Sequence, residues 1–214
     1  MSFQITIQPS GHTVTPEADE TVLEAALREG YTLPYGCRNG ACGSCKGKII
    51  SGQVDYGDHQ DTTLTDEEKA QGLALFCCAT PLSDLVIECR EVGASKDIQI
   101  KTMPCRVQTL TKVSDDVAVL SLKLPASERM QFLAGQYIDI LLKDGKRRSF
   151  SLANAPHDDA VLQLHIRHVA GGQFSEYVFS QMQEKAILRF EGPLGTFFLR
   201  EDSDKPITLL ATGT

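Results

Sequence analysis

Cys37-Arg38-Asn39-Gly40-Ala41-Cys42-Gly43-Ser44-Cys45 places three cysteines in the spacing Cys-x4-Cys-x2-Cys, and after a long gap a fourth follows at Cys77. Four thiolates in that spacing suit a [2Fe–2S] cluster. A short loop must curl around two irons and aim backbone N–H groups at sulfur. Gly36, Gly40, Gly43 and Gly47 let the backbone enter positive φ and approach without a Cβ clash. N–H donors so placed stabilise negative charge on a cluster and help set its potential. The chemistry implied is one-electron transfer, with Cys37, Cys42, Cys45 and one later cysteine as metal ligands.

Other uses of cysteine fit less well. A structural zinc site pairs two short knuckles of Cys or His; here three cysteines cluster at one end and a single strand-like position serves the other. Disulfides are disfavoured by the odd count of 7 cysteines and by an opening, Met1-Ser2-Phe3-Gln4, that reads as strand and not as a leader peptide. A reducing, cytoplasmic compartment is the expectation. Cys77 and Cys78 are adjacent, and spacing alone leaves the fourth ligand open between them. Cys89 and Cys105 lie in strand-like contexts and read as buried apolar residues.

A chain of 214 residues, 42% hydrophobic, can bury a sizeable core and divides naturally into two domains. No apolar run approaches a membrane span. Residues 1–100 carry 7 Lys/Arg against 15 Asp/Glu, whereas residues 101–214 carry 14 against 13. The acidic first half argues against nucleic acid and suits a redox module that meets a basic partner face.

Over residues 1–93, Phe3, Ile5 and Ile7 alternate with polar residues as a half-buried strand does. Gly11 turns the chain, and His12-Thr13-Val14 can return antiparallel. Thr21-Val22-Leu23-Glu24 has the form of a capping box. It opens a helix with Val22, Leu23, Ala26 and Leu27 as its stripe and Gly30 as its stop. Lys46–Ile50 is a further strand, Thr65-Asp66-Glu67-Glu68 a second capping box, and Leu85-Val86-Ile87 the strand that closes the sheet. After a short linker at 93–97, residues 100–205 hold short β runs at 106–110, 117–124, 136–142, 148–152 and 162–169. Asp144-Gly145 predicts a type I′ hairpin turn. Regular short strands with turns predict a small antiparallel barrel.

Three motifs stand in that barrel. Arg148-Ser149-Phe150-Ser151 is a strand with an aromatic and two hydroxyls. Gly171-Gly172-Gln173-Phe174-Ser175 is a turn ahead of a helix start, with Ser175 read as the capping residue. Free N–H groups at a helix N-terminus make a phosphate site. Gly192-Pro193-Leu194-Gly195-Thr196-Phe197 reads as a tight turn into an aromatic strand. In this order the three resemble the flavin barrel of the ferredoxin–NADP reductase superfamily. The first segment resembles the β-grasp ferredoxin domain, and Leu75-Phe76-Cys77-Cys78-Ala79-Thr80-Pro81 resembles its signature, in which the ligand stands four residues before proline. That resemblance selects Cys77 and turns Cys78 to the other side of the strand.

The resemblance implies roles. FAD is the expected flavin. Arg148 would contact its pyrophosphate, Phe150 pack by the ring, Ser151 hydrogen-bond near N5, and Gly171, Gly172 and Ser175 hold the pyrophosphate with backbone donors. His165 and Arg167 would lie towards the adenine. Ile207–Thr214 resembles the first strand of a nicotinamide-binding domain, so residues 206–214 are expected to begin an NAD(P) domain that this stretch does not complete; alone it is expected to oxidise NAD(P)H poorly. The implied function is an NAD(P)H-dependent iron–sulfur flavoprotein reductase. It would pass electrons through FAD and the cluster to an acceptor protein such as an oxygenase, hydroxylase or sugar dehydrase component. A ferredoxin-like carrier reduced by a separate protein and a flavin reductase are the alternatives.

Overall fold

The computed structural model describes residues 3–93, 98–198 and 204–208. β1 (Ile5–Gln8) and β2 (His12–Val14) form the first hairpin. α1 (Val22–Arg28) follows, with both halves of the capping box formed: the Thr21 hydroxyl accepts from Glu24 N, and the Glu24 carboxylate accepts from Thr21 N. β3 (Lys46–Ser51), β4 (Val54–Asp55), α2 (Asp66–Ala70), β5 (Leu73–Leu75), β6 (Thr80–Pro81) and β7 (Leu85–Glu88) complete the segment. Thr65 and Glu68 cap α2 in the same reciprocal way.

The sheet order is β2-β1-β7-β3-β5, with β1 and β7 parallel. β7 therefore takes the middle of the sheet and does not close an edge. Its alternation explains why: Leu85 and Ile87 are buried and join Ile5, Ile7, Val22, Leu23, Ala25 and Ala26 in one core. Burying an aliphatic side chain of this size contributes about 1.5–3 kcal/mol. A helix laid across a mixed sheet is the β-grasp arrangement expected.

The second unit is antiparallel throughout. Its elements are β8 (Lys101–Lys112), β9 (Val117–Lys123), β10 (Tyr137–Leu141), β11 (Arg147–Ser151), β12 (Leu162–Arg167), α3 (Gln173–Ser180) and β13 (Ile187–Leu194). The order is β11-β10-β13-β8-β9-β12. A bridge between Leu152 and Leu164 brings the two edge strands together, so the sheet nearly closes into a barrel. Ile138, Ile140, Leu120, Leu164 and Phe190 fill it, and Phe174 and Val178 of α3 join the same core.

Two local readings change. The β10–β11 hairpin is present, but only Gly145 has positive φ (80°), and Leu142 N donates to Lys146 O. A type I′ turn needs positive φ at both central residues; a three-residue loop ending on a left-handed glycine replaces it. Residues 192–194 are not a turn but the end of β13, where Gly192 pairs with Lys101 and Leu194 with Tyr137. Phe197 is no strand residue and is exposed. The strand expected over Ile207–Thr214 lies mostly outside the described residues, and Ile207 and Thr208 carry no strand pairing.

Candidate cluster and flavin sites

Pairing of β3 with β5 sets the inner end of the cysteine array. Lys46 pairs with Leu75, and Phe76 N donates to Cys45 O across the ends of the two strands. Cys45 and Cys77 thereby come together, with their sulfurs 3.2 Å apart. Two sulfurs on one tetrahedral metal, with metal–sulfur bonds of about 2.3 Å, stand just under about 4 Å apart, so the two thiols are neighbours that sit somewhat closer than a shared iron would hold them. The Cys45 thiol donates to Cys77, which holds Cys77 down to about 3 and pushes Cys45 up.

The outer end is held by the loop's own backbone. Cys37 Sγ accepts from Ala41 N at 3.4 Å and from Cys42 N at 3.3 Å, while Cys42 Sγ accepts from Cys37 N at 3.3 Å. These are the N–H donors expected of a cluster loop. Gly40 has φ of 72°, and a Cβ there would stand 2.7 Å from the His59 backbone. All seven cysteines are free. The four thiols fall into an inner pair, Cys45 and Cys77, and an outer pair, Cys37 and Cys42; four thiols are the donor number of a [2Fe–2S] cluster, although among the described residues no three metal-ligating side chains are gathered as a ready-made site.

Cys78 is a correction. Residues 76–78 form a turn after β5, not a strand, with Cys78 N and Ala79 N both donating to Leu75 O. Cys78 Sγ therefore lies 3.5 Å from Cys77 Sγ, on the same side and not the opposite one.

In the barrel, β11 alternates. Phe150 packs against Phe174 of α3, ring centroids 5.3 Å apart. Arg148 sits at the same parity; its guanidinium reaches only the Arg147 carbonyl, 2.8 Å, and no carboxylate pairs with it among the described residues. Strand parity thus turns Arg148 and Phe150 to the α3 side. Ser149 and Ser151 face the other way, and Ser151 stands opposite Tyr137.

The α3 turn differs from expectation in one respect. The N-cap is Gly172, and no side chain caps the helix. Ser175 lies inside the first turn, buried, where its hydroxyl accepts from Val169 N at 3.1 Å and contacts the Val169 and Gly172 carbonyls. It braces the turn and does not face outward. Gly171 N donates to Glu176 at 3.2 Å. The first-turn amides after Gly172 have no acceptor earlier in the helix, and no side chain caps them. Arg167, by contrast, lies by Asp116 at 3.7 Å.

Sequence reasoning missed the residues that join the two units. Tyr137 of β10 donates through its phenol to Gly36 O at 2.5 Å. The Thr196 hydroxyl and backbone bond Tyr35 O, and Tyr35 N donates back to Thr196 Oγ1 at 3.0 Å. Arg38, next to Cys37, donates to Glu191 Oε1 at 2.7 Å and lies 3.9 Å from Asp139. Glu191 also accepts from Arg147 at 2.6 Å. Burial alone would push the Glu191 carboxyl up; the two guanidiniums override it and hold it below the ordinary range. Desolvation pushes the Tyr137 phenol up, so it remains a donor. Leu194, at the end of β13, packs into the core of the first unit.

Residues 5–82 match the family described as 2Fe-2S iron-sulfur cluster binding domain, and residues 104–199 match that of the oxidoreductase FAD-binding domain. The chain thus carries a 2Fe-2S ferredoxin-type domain followed by an oxidoreductase FAD-binding domain. A [2Fe–2S] cluster and FAD are the cofactors of these two domains. The chain is 43% identical, over its whole length, to a CDP-6-deoxy-L-threo-D-glycero-4-hexulose-3-dehydrase reductase of Yersinia pseudotuberculosis. It is 36% identical to the phenol hydroxylase P5 protein of Acinetobacter pittii. It spans 64% and 61% of those two relatives. The crystal structure of the Amycolatopsis cytochrome P450 reductase GcoB is similar over 95% of this chain and 60% of that one, with TM-score 0.80 and 34% identity. No helix among the described residues is long and apolar enough to cross a membrane.

Proposed function

We propose that this chain is the flavin and iron–sulfur part of an NAD(P)H-dependent reductase, carrying electrons singly from FAD to the cluster and on to an acceptor protein. The observation that carries the reading is the meeting of β10 with both sites. Tyr137 stands opposite Ser151 of the flavin motif and bonds Gly36, the residue before Cys37. FAD accepts a two-electron hydride and releases electrons one at a time, which a [2Fe–2S] centre requires; the protein supplies position and electrostatics.

Cys37, Cys42, Cys45 and Cys77 hold the cluster. Arg148 offers to the FAD pyrophosphate a guanidinium that no carboxylate pairs among the described residues, and the amides after Gly171-Gly172 offer neutral donors to it. Phe150 walls the ring, Ser151 hydrogen-bonds near N5, and Ser175 keeps the turn in shape. Residues 1–93 and 100–205 are the two redox domains, with 206–214 leading towards a nicotinamide-binding domain. The acceptor is an oxygenase, hydroxylase or sugar dehydrase component with a basic face towards the acidic first half.

The test is anaerobic purification. Two irons per chain, FAD on acid release, and loss of cluster absorbance after photoreduction of the flavin support the reading. One zinc per chain, FMN, or a cluster that stays oxidised beside reduced flavin overturns it.

A further inference from the structure

We propose that Arg38 is a positioning residue: anchored by Glu191 and Asp139, it holds the cluster loop on the flavin strands and so sets the rate of flavin-to-cluster transfer. The inference rests on the electron-transfer reading above and adds the device that fixes the distance.

Three adjacent strands build the receptor. Asp139 of β10 stands opposite both Ser149 of β11 and Glu191 of β13. The parity of these residues is opposite to that of Ile138, Ile140 and Phe190, which fill the barrel. Their side chains therefore line its outer wall. Ser149 donates to Asp139 at 2.5 Å, and Arg147 donates to Glu191. One guanidinium from the cluster loop enters this acidic pair. The side chains of Arg38, Glu191 and Asp139 are only 18%, 16% and 6% exposed.

Burial decides what such a group can do. An exposed ion pair contributes little. A desolvated one adds little net stability, yet breaking it strands a buried charge, so its best-attested use is to fix one arrangement against others. The Arg38 backbone is itself held at φ of 60°, uncommon for a residue other than glycine. The next residue back in the chain is Cys37. A rigid hold on Arg38 is thus a rigid hold on one cluster ligand relative to β11.

Positioning and electrostatic tuning make opposite forecasts, which separates them. If Arg38 and Glu191 only tuned the cluster, removing a positive and a negative charge would move transfer rates in opposite directions. If they position it, both changes slow transfer. The experiment uses the full chain with both cofactors loaded, and iron and FAD contents checked to be those of the parent. Flash photoreduction reads the transfer rate, and small-angle scattering reads compactness independently. Arg38→Gln and Glu191→Gln are each expected to slow transfer about tenfold or more and to expand the molecule, because each removes the largely buried 2.7 Å ion pair that ties the cluster loop to β13. Arg38→Lys, which keeps the charge, is expected to restore most of the rate. Unchanged rate and compactness in both Gln variants, or rates that move in opposite directions, overturn the proposal. A parent chain with no transfer at all overturns the electron-transfer reading instead, and scattering then still reports whether Arg38 docks the loop.

Discussion

Cys77 and Cys78 differ by one position, and the turn that carries them decides their roles. Spacing left both open; the resemblance to the ferredoxin signature favoured Cys77, and Cys77 is the one whose sulfur pairs with Cys45. The companion expectation, that Cys78 points away, assumed a strand, where neighbours alternate. A turn does not alternate, and nothing in Phe76-Cys77-Cys78-Ala79 announces one. Cys77→Ser should therefore lose the cluster, while Cys78→Ser should keep both irons, as iron analysis and the visible spectrum will report. The reverse outcome would exchange the ligands. Gly47 gives a second forecast at this scale. A Cβ there would stand 2.2 Å from the Phe76 ring, which is fully buried. Gly47→Ala should destabilise the first unit by about 1–3 kcal/mol, the usual cost of overpacking, seen as a lower denaturant midpoint with an unchanged slope.

The elements that were legible in the sequence are those with a local signature. Both capping boxes form, and the β runs read before Ile187 overlap observed strands, although β8 begins five residues before the run read at 106–110 and the short β4, β5 and β6 were not read. β13 was not legible as a strand. Its Gly192-Pro193 pair has the composition of a turn, yet Ile187–Gly192 pair in full with β8, so long-range pairing overrode local preference. The same limit applies to α3, where a serine three positions into the helix resembled a cap while the glycine before the helix performs that role. Gly172 has its own constraint: a Cβ would lie 2.6 Å from Ser175 Oγ and 2.9 Å from Val169 O. Gly172→Ala is expected to displace the turn and lower FAD occupancy while leaving the iron content at the parent level. Full flavin occupancy in that variant would remove the turn from the proposed site.

On the scale of the whole molecule, what the sequence could not reveal is how the two units meet. Tyr137 and Gly36 are 101 positions apart, and Tyr35 and Thr196 are 161 apart; no local pattern links them. Their meeting also makes stability pH-dependent. In the folded chain Glu191 titrates below the ordinary glutamate value of about 4.3. Its stabilisation is complete above that value and is lost as pH falls through the depressed folded value. Thermal melts of the parent and of Glu191→Gln should accordingly differ most near neutrality and converge in acid below about pH 4.3; a gap that does not narrow would detach Glu191 from the effect. The central claim, a relay inside one chain, has a more direct test. After a flash that reduces the flavin, the rate of cluster reduction should be the same at every protein concentration, because donor and acceptor share one docked molecule. A rate that rises in proportion to concentration would mean that electrons pass between molecules, and would contradict the account.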